Sequence, residues 1–102
     1  MINSASTTPP SELITQEAQL IKKAVAGDAD AFAGLYDAYV DEIYRFVLHR
    51  VNDQQTAEDI TSQVFLKAWD NLGRYKSRGL PFGAWLFQIA RNTVIDYYRT
   101  RK

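Results

Sequence analysis

Residues Asp28 to Val51 read DADAFAGLYDAYVDEIYRFVLHRV, and their spacing decides the fold. Phe32, Leu35, Tyr36, Tyr39, Ile43, Phe46 and Val47 recur three or four residues apart. That period gathers them on one side of an α-helix, as a stripe that must be buried. A half-buried strand would instead alternate apolar and polar residues, and this stretch does not. Asp28 offers the helix an N-cap, and Asn52 with Asp53 breaks the pattern at its far end. Asp41 and Arg45 are spaced as an i,i+4 ion pair on the wet side.

The same period continues on both sides of this helix. Upstream, Leu20, Ile21, Ala24 and Val25 share a face over about Gln16 to Ala26, and Gly27 ends it. Downstream, a third helix is expected from Gln55 to Leu72, with Thr56 and Asp59 spaced as a capping box. Its core face is Ala57, Ile60, Val64, Ala68 and Leu72, widened by Phe65 and Trp69, and Gly73 closes it. Arg74 to Leu80 (RYKSRGL) forms a basic loop, and Pro81 suits the first turn of a fourth helix that runs to the chain end. Phe82, Trp85, Leu86, Ile89 and Ala90 then face inward, while Gln88, Arg91, Asn92, Arg99 and Lys102 share an outward face. Both tryptophans, Trp69 and Trp85, fall at core spacing and are read as structural. Met1 to Ser11 is polar, carries Pro9-Pro10 and lacks a period, and residues 1–14 are expected to form a disordered lead-in. Residues 15–102 are left as one all-α domain, a compact bundle of four helices.

Composition narrows the function. The length of 102 residues suits one domain. The sequence has no cysteine and a single histidine, His49, so disulfides, thiolate chemistry and cysteine- or histidine-rich metal sites are excluded. No acidic cluster resembles a calcium loop, and no metal or cofactor is expected. Asp59, Thr61 and Ser62 lie close together but have no histidine nearby, and neither a Walker-type loop nor a dinucleotide fingerprint occurs. The sequence therefore reads as a binding module and not an enzyme. Met1 to Glu12 lacks the pattern of a signal peptide, and no apolar run approaches the roughly 20 residues that span a bilayer. A cytoplasmic location without membrane insertion is the expectation. The net charge of zero hides a division: residues 1–70 carry eleven acids and five bases, residues 71–102 seven bases and one acid. An acidic body with a basic end suits a polyanion at one face, or is a solvated tail.

Three blocks, taken together, resemble a known family. They are the Asp28–Val51 stretch, AEDITSQVFLKAW (Ala57 to Trp69) and GLPFGAWLFQIARNTVIDYYR (Gly79 to Arg99). In this order and spacing they resemble region two of bacterial sigma factors of the extracytoplasmic-function type, over about Gln16 to Lys102. The resemblance implies docking of the third helix on the clamp helices of the polymerase beta-prime subunit. The matching positions are Asp59, Ser62, Gln63 and Leu66, with Phe65 at their edge. By helical spacing the first four face away from Ile60 and Val64, and an outward leucine among polar anchors suits a protein interface. Glutamine is common in the family at Ser62, and glutamate at Gln63.

The resemblance also implies that the loop and fourth helix read the non-template strand of the minus-ten promoter element and hold one unstacked base. Candidates in the loop are Lys76, Ser77, Arg78, Gly79, Leu80 and Phe82. Asn92 matches a family position near the recognised bases, with Gln88 and Arg91 around it, and Gln88 stands where arginine is frequent. Arg99, Arg101 and Lys102 would follow the phosphate backbone. Many relatives also bind an anti-sigma factor, and members carry a second DNA-binding domain, region four, which this sequence lacks. Its stop inside a basic helix at Arg101-Lys102 reads as a piece of a longer protein.

Two rival readings are open to the residues. A helical interaction domain that never meets DNA leaves the basic end unexplained. A helix-turn-helix repressor fails on spacing, because no short recognition helix follows a three- or four-residue turn.

Overall fold

The computed structural model of the protein describes residues 10–76 and 79–101. Four helices and no strand occur among them: α1 (Pro10–Val25), α2 (Ala29–Val51), α3 (Gln54–Asn71) and α4 (Phe82–Arg99). A short 3-10 turn, Leu72–Arg74, extends α3 toward the loop. Helix α2 packs against each of the other three, and α3 also packs against α4. The all-α bundle is therefore the observed architecture.

The boundaries follow local chemistry. Asp28 caps α2 as expected, its carboxylate accepting from the backbone amides of Asp30 at 2.9 Å and Ala31 at 3.2 Å. Gly27, at φ +103°, closes α1 in a left-handed turn in which the Asp28 amide donates back to the Lys23 carbonyl at 3.0 Å. Asn52 at φ 55° ends α2.

Four expectations are corrected. Helix α1 begins at Pro10, so helical backbone reaches into the span read as a lead-in, with a proline in the first turn where its missing N–H costs nothing. The cap of α3 is Asp53, accepting from the Thr56 amide at 2.9 Å, and Thr56 is not the capping residue. Gly73 does not stop the helical run, because the chain tightens through Leu72–Arg74 first. Asp41 and Arg45, both exposed, form no ion pair among the described residues. The pairs that do form join Asp96 to Lys67 and to Arg99, each at 3.9 Å.

The core sits where the stripes meet. Leu35, Ile43 and Val47 from α2 lie fully buried beside Ile60 and Val64 from α3 and Leu86 and Ala90 from α4. Gly83 lets α4 approach α2 closely: a Cβ there would stand 3.2 Å from the Tyr39 ring. The Tyr39 hydroxyl in turn donates to Glu17 of α1 at 2.9 Å, so one side chain ties three helices together. Burial, with the Glu17 carboxylate beside it, pushes the Tyr39 phenol far above its ordinary value.

One buried polar atom has no partner among the described residues, the Thr61 hydroxyl on the inner face of α3. An unpaired buried hydroxyl costs about 1–3 kcal/mol. Thr61→Val replaces it with a methyl of similar size. The expected result is a gain of about 1 kcal/mol, seen as a thermal midpoint about 4–8 °C higher for a domain of this size. A lowered midpoint in a calorimetric scan would show that the hydroxyl has a partner after all.

Candidate functional site

The outer side of α3 carries the first candidate surface. Asp59, Ser62, Gln63 and Leu66 are all exposed, and Leu66 leaves 64% of its surface to solvent. Among the described residues Asp59 accepts only from the Gln55 side-chain amide, at 3.3 Å one turn earlier, so its carboxylate keeps acceptor capacity. Phe65 differs from its neighbours. It is 6% exposed and packs edge-on against Tyr36 of α2, with ring centroids 4.7 Å apart. It is the floor of the surface and not part of its polar rim.

That floor belongs to a shallow groove of about 390 Å³ between α2 and α3, lined by Phe32, Tyr36, Ser62, Phe65, Leu66 and Trp69. Two of these residues escaped the sequence reading. Tyr36 was assigned to a buried stripe and Trp69 to the core, yet they are 41% and 38% exposed. Trp69 is supported from one side by Phe32, with centroids 5.0 Å apart, and shows its other side to solvent. Their place at the edge of each helix's stripe was the available signal. A groove of rigid aromatic rings with an outward leucine and a polar border matches the make-up of an interface hot spot.

The second surface lies across α3, on the seam with α4. Lys67, Asn71 and Arg74, spaced i, i+4 and i+7, face Trp85, Ile89, Asn92 and Thr93 around a pocket of about 280 Å³. Lys67 donates to the Thr93 hydroxyl at 3.3 Å, and the Asn71 amide donates to the Lys67 carbonyl at 2.8 Å. Among the described residues expected to meet DNA, only Asn92 lines this pocket. Lys67 and Asn71 were missed, because their cross-helix neighbours are invisible in the chain. Two cations, two amides and a half-buried indole form a set suited to a nucleotide, with attraction for phosphate, donors and acceptors for a base edge, and a stacking surface.

Other expected residues are spread along α4 and its preceding loop. Gln88, Arg91 and Asn92 are exposed on adjacent parts of one face. Lys76 is exposed, Gly79 adopts φ +119°, and Leu80 is half-buried. Phe82 is corrected to a core residue. It is 3% exposed and surrounded by Tyr39, Tyr75 and Trp85 at centroid distances of 5.6–5.7 Å, so it has no face left for a base. Ser77, Arg78 and Lys102 lie outside the described residues. Arg99 is exposed, with Asp96 at 3.9 Å. The Arg101 guanidinium lies over the Tyr97 ring and donates to its hydroxyl. These arginines sit at the opposite end of α4 from the loop, about 25 Å away by helical rise. They can follow a nucleic-acid backbone but cannot share a nucleotide with Gly79.

Among the described residues there is no cluster of three or more metal-ligating side chains, and no helix is long and apolar enough to cross a membrane.

The family model Sigma-70 region 2 matches residues 35–102. The chain is 46% identical over 84 residues to the ECF RNA polymerase sigma factor BldN of Streptomyces coelicolor, covering 82% of this chain and 32% of that protein. It is 37% identical over 82 residues to the ECF RNA polymerase sigma factor SigW of Bacillus subtilis, covering 80% and 43%. A solved structure, the RsbN–BldN complex, superposes with a TM-score of 0.72 at 46% identity, over 78% of this chain and 57% of that one. The chain thus spans 32% and 43% of the length of these two curated relatives.

Proposed function

This chain belongs to the sigma-70 region 2 family, among sigma factors of the extracytoplasmic-function type, and on that premise we propose that it docks on bacterial core RNA polymerase and recognises the promoter minus-ten element. The groove of Tyr36, Phe65, Leu66 and Trp69, bordered by Asp59, Ser62 and Gln63, meets the beta-prime clamp helices. The loop from Lys76 to Leu80 receives one unstacked base of the non-template strand. Gln88, Arg91 and Asn92 line the path of the neighbouring bases, and Arg99 and Arg101 neutralise phosphates further along. No catalytic group takes part. Holding a base outside the stack offsets an unstacking cost of a few kcal/mol, so strand separation is favoured where the sequence fits. The work is done in the cytoplasm, where polymerase and promoter are.

One observation carries this reading. Helix α3 shares an apolar groove with α2 on one flank and a cationic, amide-lined seam with α4 on the other. A module that must hold a protein and a nucleic acid at once needs two such surfaces on one rigid element. By analogy with the complex that BldN forms with RsbN, a regulatory protein of the anti-sigma type is proposed as a further partner.

The test is co-purification of core polymerase with the chain, followed by binding of the complex to single-stranded oligonucleotides. Retention of core together with preference for one strand sequence is the expected result. Retention with no preference among sequences would leave only a protein-interaction domain.

A further inference from the structure

The loop between α3 and α4 is closed by one side chain that the proposed function does not use. The Tyr75 ring is buried, 8% exposed, against Phe82 and Trp85 at centroid distances of 5.6 and 5.1 Å. It also borders a cleft formed with Ala18, Ile21, Lys22 and Val25 of α1. Its backbone amide donates to the Leu72 carbonyl at 3.1 Å, which fixes where the loop leaves the 3-10 turn. Its hydroxyl reaches across the loop and donates to the Leu80 carbonyl at 2.8 Å.

We infer that Tyr75 is a positioning residue for base capture: its hydroxyl fastens the two ends of the loop together and so presents Lys76 and Gly79 to an incoming base in a set geometry. The inference rests on the reading of this loop as the base-capturing element. Three observations support it. The apolar packing of the ring would be served equally by phenylalanine, so the hydroxyl serves something else. The acceptor is a loop carbonyl five residues away, and Leu80 is followed at once by Pro81, the first residue to orient α4. Gly79, at φ +119°, turns the backbone through a conformation that suits glycine, one residue before the carbonyl that the hydroxyl holds. Fixing the described ends of the loop before binding lowers the conformational freedom they lose on binding, which tightens the hold on a ligand. Burial, with the Glu17 carboxylate nearby, raises the phenol above its ordinary value.

Tyr75→Phe isolates the hydroxyl, because the ring and its packing are kept. The chain is loaded on core polymerase and given an oligonucleotide selected from a random single-stranded DNA library. Copies with an abasic nucleotide at each position in turn locate the captured base. For wild type, one position should show a large loss when the base is removed. Tyr75→Phe should reduce that intact-over-abasic preference about tenfold, as expected for one hydrogen bond of ordinary strength. Its affinity for the abasic copy should equal that of wild type. Tyr39→Phe, which removes another partly buried hydroxyl, bonded to Glu17 and not to the loop, should keep the full preference.

A Tyr75→Phe protein with the full preference overturns the inference and leaves the loop reading standing. Equal losses in both variants also overturn it, since the effect would then be general loosening of the bundle. A wild-type complex that shows no preference at any position removes the loop reading, and the inference with it.

Discussion

Leu66→Glu is expected to weaken binding to core RNA polymerase by at least about thirtyfold, the loss of a hot-spot residue worth about 2 kcal/mol or more. Leu66 stands in solvent beside Trp69 at the open edge of the aromatic groove. A carboxylate there would be desolvated on docking and would find no partner in an apolar contact. The folded chain itself should tolerate the change within about 0.5 kcal/mol, because the position contributes little to the core. Asp59→Arg should act in the same direction by reversing a charge on the polar border. Both effects are read by titrating labelled chain with core polymerase, with helicity followed by circular dichroism. Wild-type affinity in both variants would place docking elsewhere on the molecule.

The second large effect separates two kinds of nucleic-acid contact. Asn92→Ala should cost about 1–3 kcal/mol of discrimination between preferred and changed bases, the usual worth of a side-chain amide on a base edge. It should leave the salt dependence nearly unaltered. Arg99→Ala should weaken all sequences alike and reduce the slope of log affinity against log salt by about 0.7, the value for one phosphate contact on a single strand. The 3.9 Å pair that Arg99 makes with Asp96 is exposed on both sides, so it offers little competition. Arg101→Ala should follow Arg99→Ala, moderated by the stacking of Arg101 on Tyr97. Filter binding of the loaded chain at four or five salt concentrations gives both numbers at once. If Asn92→Ala lowers all sequences equally, the seam between α3 and α4 contributes attraction without reading bases.

Much of the molecule was determined by the order of its residues. The three-to-four spacing of Phe32, Leu35, Tyr39, Ile43 and Val47 compels a helix, because no other regular backbone brings those positions to one side. Asp28, Gly27 and Asn52 set the ends of α1 and α2, since their conformational preferences act within a few residues. The outward set of Asp59, Ser62, Gln63 and Leu66 follows from the same arithmetic, and so does the basic character of the last third of the chain.

Only the packed structure decided the edges of each stripe. Periodicity gives a side chain's direction about its own helix axis, but not whether a neighbouring helix covers it. Phe65 and Trp69 are four apart on α3, yet α2 buries the first and leaves the second partly open. Phe82 follows the loop like a residue that could meet a ligand, and three rings from α2, α4 and the loop itself close over it. The cap of α3 passed from Thr56 to Asp53, because the turn after Asn52 sets which side chain can reach the free amides. The seam of Lys67, Asn71 and Arg74 with Asn92, and the tie from Tyr75 to Leu80, join groups whose meeting depends on how α3 and α4 cross. That crossing is a property of the assembled core, which no local period encodes.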